Sequence, residues 1–220
     1  LTRLCPPIES DKTLDLAGYT LKKTGNSIDS QDHLLSVEYS KLTIEDSVGT
    51  GKMYFYAKDV AQNLFLAENR STIVINGGTF CYTGTNAMYC EMIKLSASDL
   101  VINDGYFDAQ IGTPIKLDNG FAGGGLGTLN STALINGGTI VTTSSIALSS
   151  IDGCAYYASL VMTGGTITNK SKGRVTDKTG TIISDPYFVR VTSDEALQKK
   201  YYNITLLGGT MPLSPNDIEV

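Results

Sequence analysis

Two aspartates stand out as groups that could act together. Asp118, in Leu117-Asp118-Asn119-Gly120, and Asp152, in Ile151-Asp152-Gly153, each follow a short apolar run. If consecutive turns of a stacked chain carry them at the same corner, the carboxyls stand about 5 Å apart, the separation used by retaining glycosidases. The same pair suits a calcium ion, which takes oxygen ligands. Stacked like charges destabilise a ladder, so such a pair needs a reason to exist. The simpler explanation is that Asp and Asn favour tight corners. No catalytic residue is assigned on this basis, and calcium is the only cofactor the pattern suggests.

The other reactive side chains are sparse. His33 is the single histidine, which makes a Ser-His-Asp triad or a histidine-rich metal site hard to build; it is expected on the surface. Cys5, Cys81, Cys90 and Cys154 fit no zinc spacing and allow three pairings. Cys81 and Cys90 could close a short loop, or all four could be free thiols in a chain too large to need staples. A glycine-rich segment at 120–127 lacks the Gly-Lys-Ser/Thr ending of a phosphate loop. Lys170, Lys172, Arg174 and Lys178 make a local basic stretch within 168–186, read as a solvated loop or a dock for an acidic glycan. Tyr54, Tyr56, Tyr82, Tyr89, Tyr156, Tyr157, Tyr201 and Tyr202 are expected in or beside corners and insertions, where a tyrosine can stack on a sugar ring. The expected ligand-binding set is Asp118, Asn119, Phe121, Asp152, Tyr156, Tyr157, Tyr201 and Tyr202.

What must position these residues is a repeat. Ile73-Val-Ile-Asn-Gly-Gly-Thr-Phe80 recurs as Leu100–Phe107, Ala133–Ile140, Leu160–Ile167 and Ile204–Met211, with weaker copies at Leu14–Leu21 and 42–46. Taking the third residue as marker gives Leu16, Ile44, Ile75, Ile102, Ile135, Met162 and Leu206, at steps of 28, 31, 27, 33, 27 and 44. Within each copy, alternate apolar residues describe one face of a strand. Asn-Gly or Gly-Gly then supplies a sharp bend, and an apolar eighth residue turns inward again. Short upstream strands, such as Leu35–Val37, Leu64–Leu66, Ile93–Leu95 and Ile115–Leu117, complete three strands per repeat of about 30 residues. That is one coil of a parallel β-helix. A hairpin sandwich would not repeat one phrase at this interval, and helical periodicity is limited to 193–201.

The Ile-Asn-Gly-Gly-Thr-Phe phrase resembles the degenerate coils of the pectate-lyase-like right-handed β-helix superfamily, and especially repeats in large surface proteins of bacteria. The resemblance spans residues 14–211. It implies an extracellular or cell-surface protein of bacterial or phage origin. The superfamily's calcium-holding aspartates with an arginine base, and its Gly-His-Gly and Arg-Ile-Lys signatures, find no match here, so no family catalytic residue is carried over. Its members include lyases, hydrolases, tailspikes and adhesins.

The expected architecture is an all-β, single-stranded right-handed parallel β-helix of about seven coils. It forms one domain over 1–220, with an N-terminal cap at 1–13, coils at 14–211 and a tail at 212–220. Prolines in the cap and tail would blunt the strand edges at the rod ends. Asn76, Asn103 and Asn136 should form a ladder at the bend. Insertions at 119–131, 168–186 and 192–203 should carry whatever function there is, and 118–130, 152–157 and 192–202 would frame a groove. Val74, Val101, Leu134 and Val161 read as an outward apolar stripe, open to lateral self-association or covered by a loop.

Composition limits the alternatives. Hydrophobic residues are 41% and charged residues 18% of the 220, which rules out a disordered polyampholyte. A net charge of −5 argues against nucleic acid. No apolar run nears the roughly 18 residues of a membrane span. The chain starts at Leu1 rather than a methionine, which reads as a trimmed or processed fragment. The sequence-based expectation is a non-catalytic module binding a glycan or protein, with a polysaccharide lyase or glycoside hydrolase as the alternative.

Overall fold

The structure, a computed structural model, describes residues 6–25, 32–59, 61–85, 90–118, 130–149, 158–172, 175–176, 182–184, 187–192, 202–210 and 218–219. Its first turn comprises β1 (Lys12–Asp15), β2 (Thr20–Thr24) and β3 (His33–Glu38). The second is β4 (Lys41–Glu45), β5 (Lys52–Ala57) and β6 (Asn63–Glu68), and the third β7 (Thr72–Ile75), β8 (Thr79–Gly84) and β9 (Glu91–Ser96). The fourth is β10 (Asp99–Ile102), β11 (Tyr106–Ala109) and β12 (Thr113–Asp118), and the fifth β13 (Ser131–Ile135), β14 (Thr139–Thr142) and β15 (Ile146–Ser149). Beyond them lie β16 (Ala158–Met162), β17 (Thr166–Asn169), β18 (Val175–Thr176), β19 (Ile182–Ser184), β20 (Val189–Thr192), β21 (Tyr202–Leu206) and β22 (Ile218–Glu219).

Each turn gives one strand to each of three parallel sheets. The first sheet runs β1-β4-β7-β10-β13-β16-β21, the second β2-β5-β8-β11-β14-β17, and the third β3-β6-β9-β12-β15-β20-β22. This is a parallel β-solenoid. The four turns from β4 to β15 have a neighbour on both sides in every sheet; the outer turns are partial, so seven sequence echoes make fewer than seven fully enclosed coils. The only departure from parallel pairing among the described strands is the small antiparallel β18–β19 pair, inside the 168–186 insertion.

The repeat fixes the register. Ile44, Ile75, Ile102, Ile135, Met162 and Leu206 are successive partners in the first sheet. The five from Ile44 to Met162 are 0–1% exposed. In the first turn the partner of Ile44 is Leu14, not Leu16; the weak first copy is phased two residues earlier than its Ala-Gly bend suggests. The second sheet adds an inward aromatic and aliphatic column, Met53, Phe80, Phe107, Ile140 and Ile167. Phe80 and Phe107 stack at 4.8 Å with 13° between their planes, which is the rung spacing of the backbone itself.

Two side-chain ladders tie the turns at their corners. At the bend after the first sheet, Asn103 donates to Asn76 (2.8 Å), Asn136 donates to Asn103 (2.9 Å), and the Thr163 hydroxyl donates to Asn136 (2.7 Å). This ladder is exposed. Between the third and first sheets runs a buried one that the repeat did not suggest. Ser71 N–H donates to Ser98 Oγ and Ser98 N–H to Ser131 Oγ. The hydroxyls of Ser71 and Ser131 donate to the Glu68 and Asp118 carbonyls, each at 2.5 Å.

At the first end, Ile8 bridges to Val37 in parallel and exchanges backbone hydrogen bonds with Ser36 and Glu38. At the other end, β22 lies parallel to β20. No helix among the described residues is long and apolar enough to cross a membrane.

Candidate functional site

The third sheet brings ionisable side chains of successive turns side by side. Its ladder places His33, Asn63, Glu91 and Thr113 in one column, Ser36, Leu66, Lys94 and Lys116 in a second, and Glu38, Glu68, Ser96 and Asp118 in a third. Glu91 is 4% exposed. It accepts from Asn63 Nδ2 at 3.1 Å and from Lys116 Nζ at 3.3 Å. Lys116 also reaches Asp118 Oδ2 at 3.8 Å. A buried carboxylate needs such compensation, and here it comes from the turns on either side. Asp118 Oδ1 is buried with no hydrogen-bond partner.

His33 departs from expectation. It opens β3 half-buried, with Nδ1 enclosed and unpartnered, because the strand presses its ring among Asn63, Asp32 and Lys23. Burial is the main cause that lowers its pKa to about 4; Asp32 opposes the shift and Lys23 adds to it. One turn on, burial raises the Glu68 carboxyl above its ordinary value; Lys94 counteracts the shift and Glu38 reinforces it.

Asp118 is the one expected ligand residue whose side chain is described. Its ladder partner in the next turn is Ser149, so the register puts a serine, not Asp152, at the adjacent rung. Asp152, Asn119, Phe121, Tyr156, Tyr157 and Tyr201 lie outside the described residues, as does most of the expected groove. Tyr202 begins β21. The connections β12–β13, β15–β16 and β20–β21 all leave from the corner between the third and first sheets, as the placement of the first and third insertions anticipated.

The tyrosines divide. Tyr82 is no corner residue: it is fully buried, its hydroxyl donates to the Gln62 carbonyl, and burial raises its pKa. Tyr54 and Tyr56 point outward from β5. On the same outer face of the second sheet, Tyr106 occupies the column of Lys52 and Thr79. Tyr56 and Tyr106 are 37% and 41% exposed. Lys22 Nζ sits 5.4 Å from the centre of the Tyr54 ring. Around the rings lie Thr79, Thr83 and Thr139, with Asp108 one strand position beyond.

Cys81 and Cys90 are free thiols. Cys81 faces outward from β8, whereas Cys90 is buried at a corner with Sγ donating to the Asp59 carbonyl at 3.2 Å. Their directions preclude the short loop that their sequence spacing allowed. Burial raises both thiol pKa values, which disfavours thiolate chemistry. Cys5 and Cys154 lie outside the described residues. Among the described residues, no three His, Cys, Asp or Glu side chains group so as to hold a metal.

Glu38, Glu68, Glu91, Lys94, Lys116 and Tyr106 escaped the sequence-based site. The signal for two of them, Glu38 and Glu68, was present. Val37-Glu38, Ala67-Glu68, Leu95-Ser96 and Leu117-Asp118 align once the upstream strands are phased on their last inward residue. No protein-family model, curated protein or solved structure matches the chain.

Proposed function

We propose that the protein is a non-catalytic extracellular or cell-surface module that binds glycan on the outer face of the second sheet. The observation that carries this is the set Tyr54, Tyr56 and Tyr106 on one flat face, interleaved with lysines and threonine hydroxyls. Tyr54 and Tyr56 are about 7 Å apart along one strand, and Tyr106 stands about 10 Å away across two rungs. Aromatic faces at such spacings suit successive sugar rings, with hydroxyls at hand for their edges. Stacked parallel turns and the asparagine ladder support kinship with the right-handed pectate-lyase-like β-helices. The insertion residues Asn119, Phe121, Asp152, Tyr156, Tyr157, Tyr201 and Tyr202 would extend the binding surface. The stripe Val74, Val101, Leu134 and Val161, adjacent in register and half-buried, offers a lateral contact to a protein partner or second copy.

A glycan array followed by titration tests the reading. Tyr54→Ala, Tyr56→Ala and Tyr106→Ala should each weaken binding about 5- to 100-fold, as the loss of one aromatic contact does. Binding unchanged in all three variants overturns it.

One observation favours a second reading, a polysaccharide lyase or hydrolase. Asp118 stands beside Lys116 and Glu91 with one oxygen buried and unpartnered. That reading requires turnover of a polysaccharide by the wild type, lost in Asp118→Ala or Asp152→Ala. A calcium requirement would place the ion at the same aspartates.

A further inference from the structure

We propose that the far end of the solenoid is a self-association surface, on which β21 pairs antiparallel with β21 of a second copy across a two-fold axis. β21 is the last strand of the first sheet and has β16 on one side only. Up to that rung, the carbonyl at the third position of each copy accepts from the next turn. Ile75 accepts from the Asn103 N–H, Ile102 from Asn136, Ile135 from Thr163 and Met162 from Leu207, each at 2.8 Å. Leu206 holds the next place in that series, and no described residue donates to its carbonyl. Main-chain groups alternate sides along a strand. With Leu207 N–H turned to β16, the N–H and C=O of Ile204 and Leu206 face the free edge. The inward apolar column also ends uncovered there: Leu206 is 37% and Leu207 73% exposed.

The two ends of the rod decide the occupant. At the first end the inward columns finish in charge. Lys12 is the register partner of Leu42, and Lys23 that of Phe55; the Lys23 ammonium is held by Asp32 at 2.6 Å. Leu21 is exposed beside them, and Ile8 bridges to the edge of β3. Inward-pointing lysines and a covered edge are means by which sheets avoid pairing with other chains. A head-to-tail contact would press these lysines against Ile204 and Leu206, burying charge on an apolar surface. Nothing comparable stands at β21: Tyr202–Leu206 and the Leu207-Gly-Gly-Thr that follows carry no charged residue. Two copies of that strand meet without repulsion.

A two-fold axis through Thr205 satisfies both the edge and the apolar column. It sets Ile204 opposite Leu206 of the second copy, and Leu206 opposite its Ile204, as hydrogen-bonded pairs. Each pair exchanges two main-chain bonds. Side chains directly opposite project to the same side of a sheet, so the apolar residues of both copies meet over the open ends of the two cores. Thr205 faces Thr205 as the close, non-hydrogen-bonded pair, with Cα atoms about 4.5 Å apart. The contact is isologous and closes at two copies. The rods lie end to end, and the tyrosine face of the second sheet stays free. A contact confined to one rung is small, so its dissociation constant lies in about the micromolar range.

Sedimentation velocity of the whole chain from about 1 to 200 μM tests this. The wild type should show a monomer–dimer equilibrium, with a dimer that small-angle scattering finds longer but no wider. Leu206→Lys and Leu206→Pro should each raise the dissociation constant at least about tenfold. Both should keep the wild-type melting temperature, since the Leu206 N–H makes no bond to β16. Val101→Lys, on the lateral stripe, should leave the dimer intact. In a second arm, mild oxidation of Thr205→Cys should give a disulfide joining position 205 of the two copies, located by mass spectrometry against wild type treated alike. Asn203→Cys should not cross-link to itself, because position 203 faces position 207 in this register. The cross-link decides the matter if a Leu206 variant melts early. A chain that stays monomeric at the highest concentration, a dimer lost in Val101→Lys but kept in both Leu206 variants, or equal cross-linking of Thr205→Cys and Asn203→Cys overturns the proposal.

Discussion

The two corner ladders solve one problem in opposite surroundings. The serines at the third-to-first corner are sealed; Ser71, Ser98 and Ser131 are 0–2% exposed. Each hydroxyl there must satisfy backbone groups that water cannot reach. The asparagines after the first sheet stand in solvent, where a lost amide bond is replaced by water. What is unforgiving at their corner is the backbone behind them. A Cβ on Gly164 would lie 2.2 Å from the Asn136 carbonyl oxygen, and Gly138 has φ +79 with the Gly105 carbonyl oxygen 2.7 Å from an added Cβ. The buried corner depends on its side chains; the exposed corner depends on having none.

Substitutions should separate these dependencies by size. Gly164→Ala should cost most, about 3 kcal/mol or more, since backbone must move in two turns at once; urea denaturation measures it. A smaller cost would mean that the turns slide more freely than their register implies.

Neither ladder titrates, so pH isolates what lies outside them. His33 has a folded-state pKa of about 4 against 6.5 unfolded. Its contribution is therefore fully present above pH 6.5 and is lost as pH falls through 4. The wild type should lose on the order of 2–3 kcal/mol over that range. His33→Asn should abolish this loss, as read by denaturation midpoints at pH 7 and pH 4.

Ser71→Ala should cost about 1–2 kcal/mol through the Glu68 carbonyl left unsatisfied. Asn103→Ala, with two amide contacts at an exposed site, should cost about 0.5–1 kcal/mol. If the asparagine loss exceeds the serine loss, the contrast between sealed and wetted corners fails.

The ladders also mark what could be read in advance. Ile75, Ile102 and Ile135 declare a column because one phrase carries them at a fixed offset from a glycine bend, and bend chemistry is local. The asparagines share that phrase. The serines precede it and coincide only after the corners before Thr72, Asp99 and Thr132 are known to have equal phase. Leu14 was missed for Leu16 because Ala17-Gly18 imitates the Gly-Gly bend, with Ala17 itself at φ 46. Asp118 was found because Asp-Asn-Gly advertises a corner; its neighbours Lys116 and Glu91 were not, because they come from different turns 25 residues apart. Tyr82 was misplaced outside because a tyrosine hydroxyl can be silenced by one distant carbonyl, which sequence does not display. Chemistry built across rungs is legible only when each rung's phase is known.

In the first sheet the backbone partners of a residue lie one circuit earlier and one circuit later along the chain. Asn103 N–H reaches back to Ile75, and Asn136 N–H to Ile102. A growing chain therefore has its template already in hand: each newly added circuit can zip onto the last without waiting for distant segments. Folding begun at any circuit can spread to its neighbours on either side, and traction on either terminus would peel circuits away singly rather than rupture the whole at once.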